Sequence, residues 1–368
     1  MAIPYVWKVY VETSAGSGSY TEVPYSQNLT IDYGRSQPTD DFWNGQVTVT
    51  GIYPDSLPSQ IKQVGTRVKL SLQASGGGVV NDFYASVRAL SRVYGTIPVM
   101  DTWQLSATGD IGLLAQQQLT SSYSTTAGTK TITQIGNLLT AYGISYVAGG
   151  VGGSSVSGIT FDIGSYVNDI VQQIMRTEQG RIIDTVFSTP RFYSRSNAVE
   201  NTNFTYFTDG TGTPSAYDTP YTALQFLNNG EFLANTVVVE PDGLTSQTSG
   251  TTKPALNFKT LDETTTQASD LAGYIKNTIS SNTLRPLSVS ILLNSQTANY
   301  WQYTMFPGTQ CKVILRGTTY NCVIEGATIS ADPSNTNVTF KLSSADAYTF
   351  LRLDDSYFGI LDSNKLGF

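Results

Sequence analysis

Apolar and polar positions alternate with period two along most of this chain. Tyr5, Trp7, Val9 and Val11 alternate with Val6, Lys8, Tyr10 and Glu12, a spacing that sends the two sets to opposite faces of a strand. The same pattern predicts strands over residues 28–33, 46–53, 66–72, 82–89, 102–107, 236–240, 310–315, 320–324 and 338–342. Pro286 opens a further strand through Val289, Ile291 and Leu293. Clusters of Gly, Pro, Asp and Ser separate these runs, and short strands at such intervals favour a sandwich or barrel.

Three stretches change period. Val167, Ile170, Val171, Ile174 and Met175 recur at helical spacing after Ser165, which is read as the N-cap, and Gly180 is read as the stop. Arg181 to Asp184 then leaves as a strand. Ser188, Thr189 and Pro190 turn the chain, and Arg191 to Arg195 returns. A second helix carries Ile132, Ile135, Leu138, Leu139 and Tyr142 on one face, with Thr131 and Gln134 spaced as a capping box. A third, within 262–280, aligns Ala268, Leu271, Ala272, Ile275 and Ile279.

These elements predict a first β domain over 1–110, a linker over 111–127 and an α/β insert module over 128–196. An irregular extended segment with one strand follows over 197–260, then a second β domain with a helix over 261–345 and an apolar C-terminal tail over 346–368. An internal echo ties the two β domains together. Gly65, Thr66, Lys69, Leu70, Ser71 and Leu72 recur in spacing as Gly308, Thr309, Lys312, Val313, Ile314 and Leu315, and each set leads into a turn and a second strand.

Composition narrows the chemistry. The 368 residues carry a formal net charge of −7 and no His, which removes Ser-His-Asp and Cys-His catalysis and His zinc ligation. An acidic balance with few cations argues against specific nucleic-acid binding. No stretch is apolar enough for a membrane anchor, and the residues after Met1 do not read as a secretory leader. No cofactor or metal site is expected: Asp354, Asp355 and Asp362 lack the spacing of a calcium loop. Glu178 and Asp184 could flank a groove as a glycosidase pair does, but the favoured reading is two surface carboxylates and no enzyme. Arg316 and Gly317 as a two-residue turn would set Cys311 opposite Cys322, either as packed thiols, which is favoured, or as a bridge. The many Tyr, with Trp7, Trp43, Trp103 and Trp301, suit protein interfaces better than sugar platforms.

The tail is dense in apolar side chains. Leu353, Tyr357, Phe358, Ile360, Leu361, Leu366 and Phe368 would leave a monomer with a sticky surface, and they are read as a subunit-docking segment. The run Leu353, Asp354, Asp355, Ser356, Tyr357, Phe358, Gly359, Ile360, Leu361, Asp362, Ser363, Asn364, Lys365, Leu366 resembles the close of many minor tail proteins of long-tailed bacteriophages. The helix, Gly and strand pair ending in Ser194 and Arg195 resembles the middle module of tail hub proteins. The helix 267–279 followed by Pro286 is similar to the approach to their second barrel.

The resemblance implies a mainly β fold with a small α/β insert: two related β-barrel domains of tail-hub type flanking a helix-plus-hairpin module. It implies a homotrimeric structural protein of the virion tail tip or baseplate, assembled in the host cytoplasm, that joins the tail tube to the tip and lines the DNA exit channel. Its expected partners are the tail tube or distal tail protein, other tail tip or fibre proteins and the tape measure protein. The alternative is a receptor- or carbohydrate-binding tip protein.

Overall fold

The structure, a computed structural model, describes residues 5–37, 40–41, 43–74, 79–96, 101–149, 153–194, 205–211, 218–227, 235–252, 254–279, 285–293, 306–345, 350–351 and 365–366. The chain is mainly β. The first unit holds β1 (Tyr5–Glu12), β2 (Tyr20–Glu22), β3 (Ser26–Gly34), β4 (Trp43–Ile52), β5 (Arg67–Ala74), β6 (Val79–Val93) and β7 (Thr102–Thr108). A module follows with β8 (Tyr123–Ser124), α1 (Thr131–Ala141), β9 (Val147–Ala148), β10 (Thr160–Phe161), α2 (Val167–Glu178), β11 (Arg181–Ile183) and β12 (Arg191–Tyr193).

The second unit begins with β13 (Thr205–Thr208), β14 (Asp218–Pro220) and β15 (Ala223–Leu227). It is interrupted by β16 (Thr236–Pro241), β17 (Gln247–Ser249), β18 (Ala255–Thr260) and α3 (Thr265–Ile279). It resumes with β19 (Arg285–Leu292), β20 (Gln310–Leu315), β21 (Thr318–Ala331) and β22 (Thr336–Ser344). Two short strands, β23 (Phe350–Leu351) and β24 (Lys365–Leu366), pair in parallel near the end.

The two units repeat one pairing order. In the first, neighbours run β3–β4–β7–β6–β5–β1; in the second, β15–β19–β22–β21–β20–β13. The echo seen in the sequence marks the same joint twice. Gly65 and Gly308, at φ 86° and 93°, both take a left-handed turn that L side chains resist. Gly65 N–H donates to Val87 O at 2.8 Å and Val87 N–H to Thr66 O at 2.9 Å, while Gly308 N–H donates to Ile324 O at 2.7 Å and Ile324 N–H to Thr309 O at 2.9 Å. Just beyond, β6 is bulged between Val87 and Ala89, and β21 between Ile324 and Gly326. The repeats differ at one flank: β1 runs antiparallel to β5, and β13 parallel to β20.

Where two related barrels are expected, the two units share one 14-stranded sheet, and among the described residues no closed barrel path is found. The reason is the length of β21. Its second half, from Gly326 to Ala331, pairs antiparallel with β3 over Gly34 to Leu29 and welds the units together. One core fills both, from Val9, Leu70, Phe83 and Leu105 to Phe207, Ile291, Ile329 and Phe340. The sheet also folds back on itself: the ring of Phe83 lies 5.8 Å from that of Trp7 on β1 and 6.0 Å from that of Tyr33 on β3.

The module has its own core. The α2 face Val167, Ile170, Val171, Ile174 packs with Ile182 and Phe192 of the strand pair and with Ile135, Leu138 and Leu139 of α1. The stretch read as a linker joins this core through Ile111, Leu114 and Leu119. Its helix ends differ from expectation. Tyr166, not Ser165, is the N-cap of α2, and Lys130 that of α1, neither with a side-chain cap bond. Thr131 is already helical, and its hydroxyl is engaged by Glu178. At the other end of α2 the left-handed residue is Gln179, at φ 52°. Gly180 is needed for space, since a Cβ there would lie 2.7 Å from the Phe192 ring. The stretch read as irregular supplies β13 to β18, and α3 packs its Ala268, Leu271 and Ile275 on Val237 and Val239 of β16.

Cys311 and Cys322 do stand opposite each other on β20 and β21, across a turn in which Arg316 and Gly317 have φ 50° and 79°. Both are buried and unbridged, and burial pushes the Cys311 thiol up, away from the reactive thiolate. Neither thiol should react with iodoacetamide in the native protein, whereas both should react in urea. Native labelling faster than unfolding would contradict the packing described.

Candidate functional site

Three parts of the chain converge on a single buried carboxylate. Glu325 occupies the bulge of β21, where a charged residue followed by Gly interrupts an otherwise apolar run. Arg35, just past β3, donates from Nε to Glu325 Oε2 at 2.7 Å; Ser343 of β22 donates to Oε1 at 2.6 Å. Arg181, opening β11 of the module, brings a guanidinium nitrogen within 3.8 Å of Oε1. The side chains of Glu325, Arg181 and Arg35 are 0 %, 1 % and 4 % exposed. Burial alone would raise this carboxyl, but Arg35 and Arg181 overcome it and hold it down at about 2. The backbones close in around the ion cluster: a Cβ on Gly34 would meet Glu325 O at 2.3 Å, and one on Gly326 would meet Tyr33 O at 2.5 Å.

The module is seated on the first unit by a second set of anchors. Asp184 and Thr185 fill spaces left by missing side chains at Gly45 and Gly109. Gly45 N–H donates to Asp184 Oδ1 at 3.2 Å, the Thr185 hydroxyl donates to the same oxygen at 3.0 Å, and Tyr84 N–H donates to Thr185 O at 2.9 Å. Burial, only partly offset by the Thr185 hydroxyl and the Gly45 N–H, pushes the Asp184 carboxyl up to about 6. Arg176 of α2 reaches Asp41 between β3 and β4 at 2.7 Å, and Arg67 of β5 reaches Asp110 at 2.9 Å.

Glu178 and Asp184 are not surface carboxylates beside a groove: they are 2 % and 5 % exposed. Glu178 accepts from the Thr131 hydroxyl and from Ser154 N–H, holding the 153–156 segment against α1 and α2. Both carboxylates are thus buried and held by donors of the fold itself, not set on the two sides of an open groove. Of the docking segment, Leu353, Tyr357, Phe358, Ile360, Leu361 and Phe368 lie outside the described residues, as do Asp354, Asp355 and Asp362. Leu366 lies in β24, opposite Leu351. Among the described residues no group of three or more His, Cys, Asp or Glu could hold a metal ion, and no helix is long and apolar enough to cross a membrane.

Sequence periodicity missed Arg35, Arg181 and Glu325. The signal present was local: a Glu-Gly pair inside an apolar strand marks a bulge. Among the described residues, exposed tyrosines form an aromatic corner at the surface. Tyr25 and Tyr53, both forced to positive φ, stack edge to face at 5.1 Å, and Val93 and Tyr94 extend from the nearby end of β6. Tyr53 N–H is held by Asp101 O and Ile52 N–H by Tyr25 O, which fixes the corner in place.

Neither a family model nor a curated protein sequence matches this chain. Solved structures do. A tail protein from Neisseria meningitidis MC58 is similar at TM-score 0.64 and 11 % identity, over 93 % of this chain and 97 % of that one. The 43 kDa tail protein of prophage MuSo2 from Shewanella oneidensis is similar at TM-score 0.60 and 12 % identity, over 92 % and 98 %. An Escherichia coli component of the type VI secretion system, described as structurally similar to the T4 bacteriophage tail proteins gp27 and gp5, gives TM-score 0.51 and 10 % identity over 92 % and 76 %. The chain has the fold of phage tail proteins.

Proposed function

We propose that this chain is a structural component of a phage tail tip: a homotrimeric hub that joins a sixfold tail tube to a threefold tip and lines the DNA exit channel. The observation that carries the reading is the repeated pairing order, β3–β4–β7–β6–β5–β1 against β15–β19–β22–β21–β20–β13. A chain built from two copies of one unit lets three chains present six equivalent units, which is what a joint between sixfold and threefold symmetry needs. In this reading each unit curls into a barrel, as the Trp7, Phe83 and Tyr33 contacts across the first sheet support.

The module and the strand-and-helix insert before β19 project from the ring to meet the tail tube or distal tail protein, the tape measure protein and tip or fibre proteins. The apolar segment of Leu353, Tyr357, Phe358, Ile360, Leu361, Leu366 and Phe368 docks on a neighbour. The net charge of −7 suits a channel wall that lets DNA slide. Glu178 and Asp184 act as structural anchors, and the hub is not an enzyme.

Gold-labelled antibody against the chain should mark the tail tip of intact particles, with about three copies per particle by quantitative mass spectrometry. Label along the tail shaft or on the capsid would overturn the proposal. A receptor- or carbohydrate-binding tip protein is the second reading, favoured by the exposed tyrosines Tyr25, Tyr53 and Tyr94. Saturable binding of the purified chain to host cell walls, lost in Tyr53→Ala, would move the assignment there.

A further inference from the structure

Among the described residues, the weld between the two units leaves two strand edges of the same kind without a partner strand. β21 is bonded to β20 only as far as Val323, and to β3 only from Gly326 onward, so the bulge at Glu325 passes its outer edge from one partner to the next. β6 is the counterpart of β21. It is bonded to β5 between Val79 and Ser86, bulges after Val87, and continues to Val93 with only β7 beside it among the described residues. The counterpart of β3 is β15, which has β19 on one side and no described strand on the other. Each chain therefore carries a β6 edge without a β15 beside it, and a β15 edge without a β6.

We infer that the outer half of β6 pairs antiparallel with β15 of a second copy of this chain, in the register that β21 takes on β3. The register follows from the repeat. Superposing the bulges sets Val93 on Ser330 and Tyr94 on Ala331. Following pairs through β7 and β4, and through β22 and β19, sets Leu224 on Leu29 and Gln225 on Thr30. Within the chain Ala331 faces Leu29 and Ser330 faces Thr30. Across copies Tyr94 then faces Leu224, and Val93 faces Gln225.

The chemistry of the edges points the same way. The other two ends of the sheet are blunted: β14 is three residues long and ends in Pro220, and β2 is three residues long with Glu22 paired to Lys8. β15, Ala-Leu-Gln-Phe-Leu, has no charge and no Pro, the composition of a strand that is covered. On the β6 side Val93 and Tyr94 are 64 % and 60 % exposed in the single chain. Because the two edges differ, the contact is head to tail. Each contact leaves one β6 edge and one β15 edge open, so the assembly closes into a ring when those edges meet or grows into a filament.

The inference needs only the multimeric part of the proposed function. The test uses the full chain with Val93→Cys and Gln225→Cys together, oxidised mildly and run on a non-reducing gel. Directly opposed strand residues lie within disulfide reach. Expected are covalent chains of several copies, no links in either single variant, dimers alone when the two singles are mixed, and at least tenfold less linking for Ser91→Cys with Gln225→Cys. Val93→Glu, at an exposed site, should give a folded single copy with unchanged circular dichroism. Links within either single variant, or linking as strong in the shifted pair, would overturn the inference. An assembled wild type with no link and no response to Val93→Glu would reject this edge and leave the hub reading standing. A wild type that stays a single copy at every concentration would reject both.

Discussion

Glu325→Gln should destabilise the chain by about 3–5 kcal/mol, because it leaves the guanidinium groups of Arg35 and Arg181 buried without their counter-ion. The change is isosteric, so the loss reads the charge and not the packing. Solvent does not screen it, with Glu325 fully buried. The carboxyl lies at about 2 in the fold against 4.5 for the free group, so its stabilisation is complete above about pH 4.5 and is lost as pH falls towards 2. Asp184 works in the opposite sense: its folded value of about 6, above 3.8, means a cost that appears as pH rises from about 4 to 6. Urea unfolding at pH 7, 5, 4 and 3 measures both. The wild type should lose stability between pH 4.5 and 3 relative to Glu325→Gln, so that the gap between them narrows in acid. A gap below about 1 kcal/mol at pH 7, or one that widens in acid, would mean that the junction is not held by this charge.

Gly34→Ala should cost about 2–4 kcal/mol, the sum of a left-handed φ of 84° and the collision of a Cβ with Glu325 O at 2.3 Å and Gly326 Cα at 2.5 Å. Gly65→Ala is the matched control. Its φ of 86° is nearly the same, but nothing lies within 4 Å of the added carbon, so about 1–2 kcal/mol is expected. The difference between the two variants isolates the close approach of β3 and β21. Equal losses in denaturant melts would say that the weld between the units tolerates separation.

The alternation of Tyr5 to Glu12, the three helical faces and the Arg316 and Gly317 turn were all legible, since each is written in neighbouring residues. The repeat was legible through Gly65 and Gly308, whose left-handed turns require Gly in both units. The junction was not. Arg35 and Glu325 are 290 positions apart, and no local period links them. The bulges hid more: alternation breaks at Arg88 and at Glu325, so strands that run on to Val93 and Ala331 read as ending at Ala89 and Ile324. Those hidden halves are the ones that join units. The two helix starts are each displaced by one residue because Ser165 and Thr131 have the chemistry of caps, while local packing gives the cap positions to Tyr166 and Lys130.

In the proposed hub, one chain supplies two equivalent β units around a tail axis. A density map of the purified assembly tests it most directly. Expected are three copies and six β units about one axis, with β6 of each copy beside β15 of the next. A single copy, or an assembly whose β units do not number six around that axis, would contradict it.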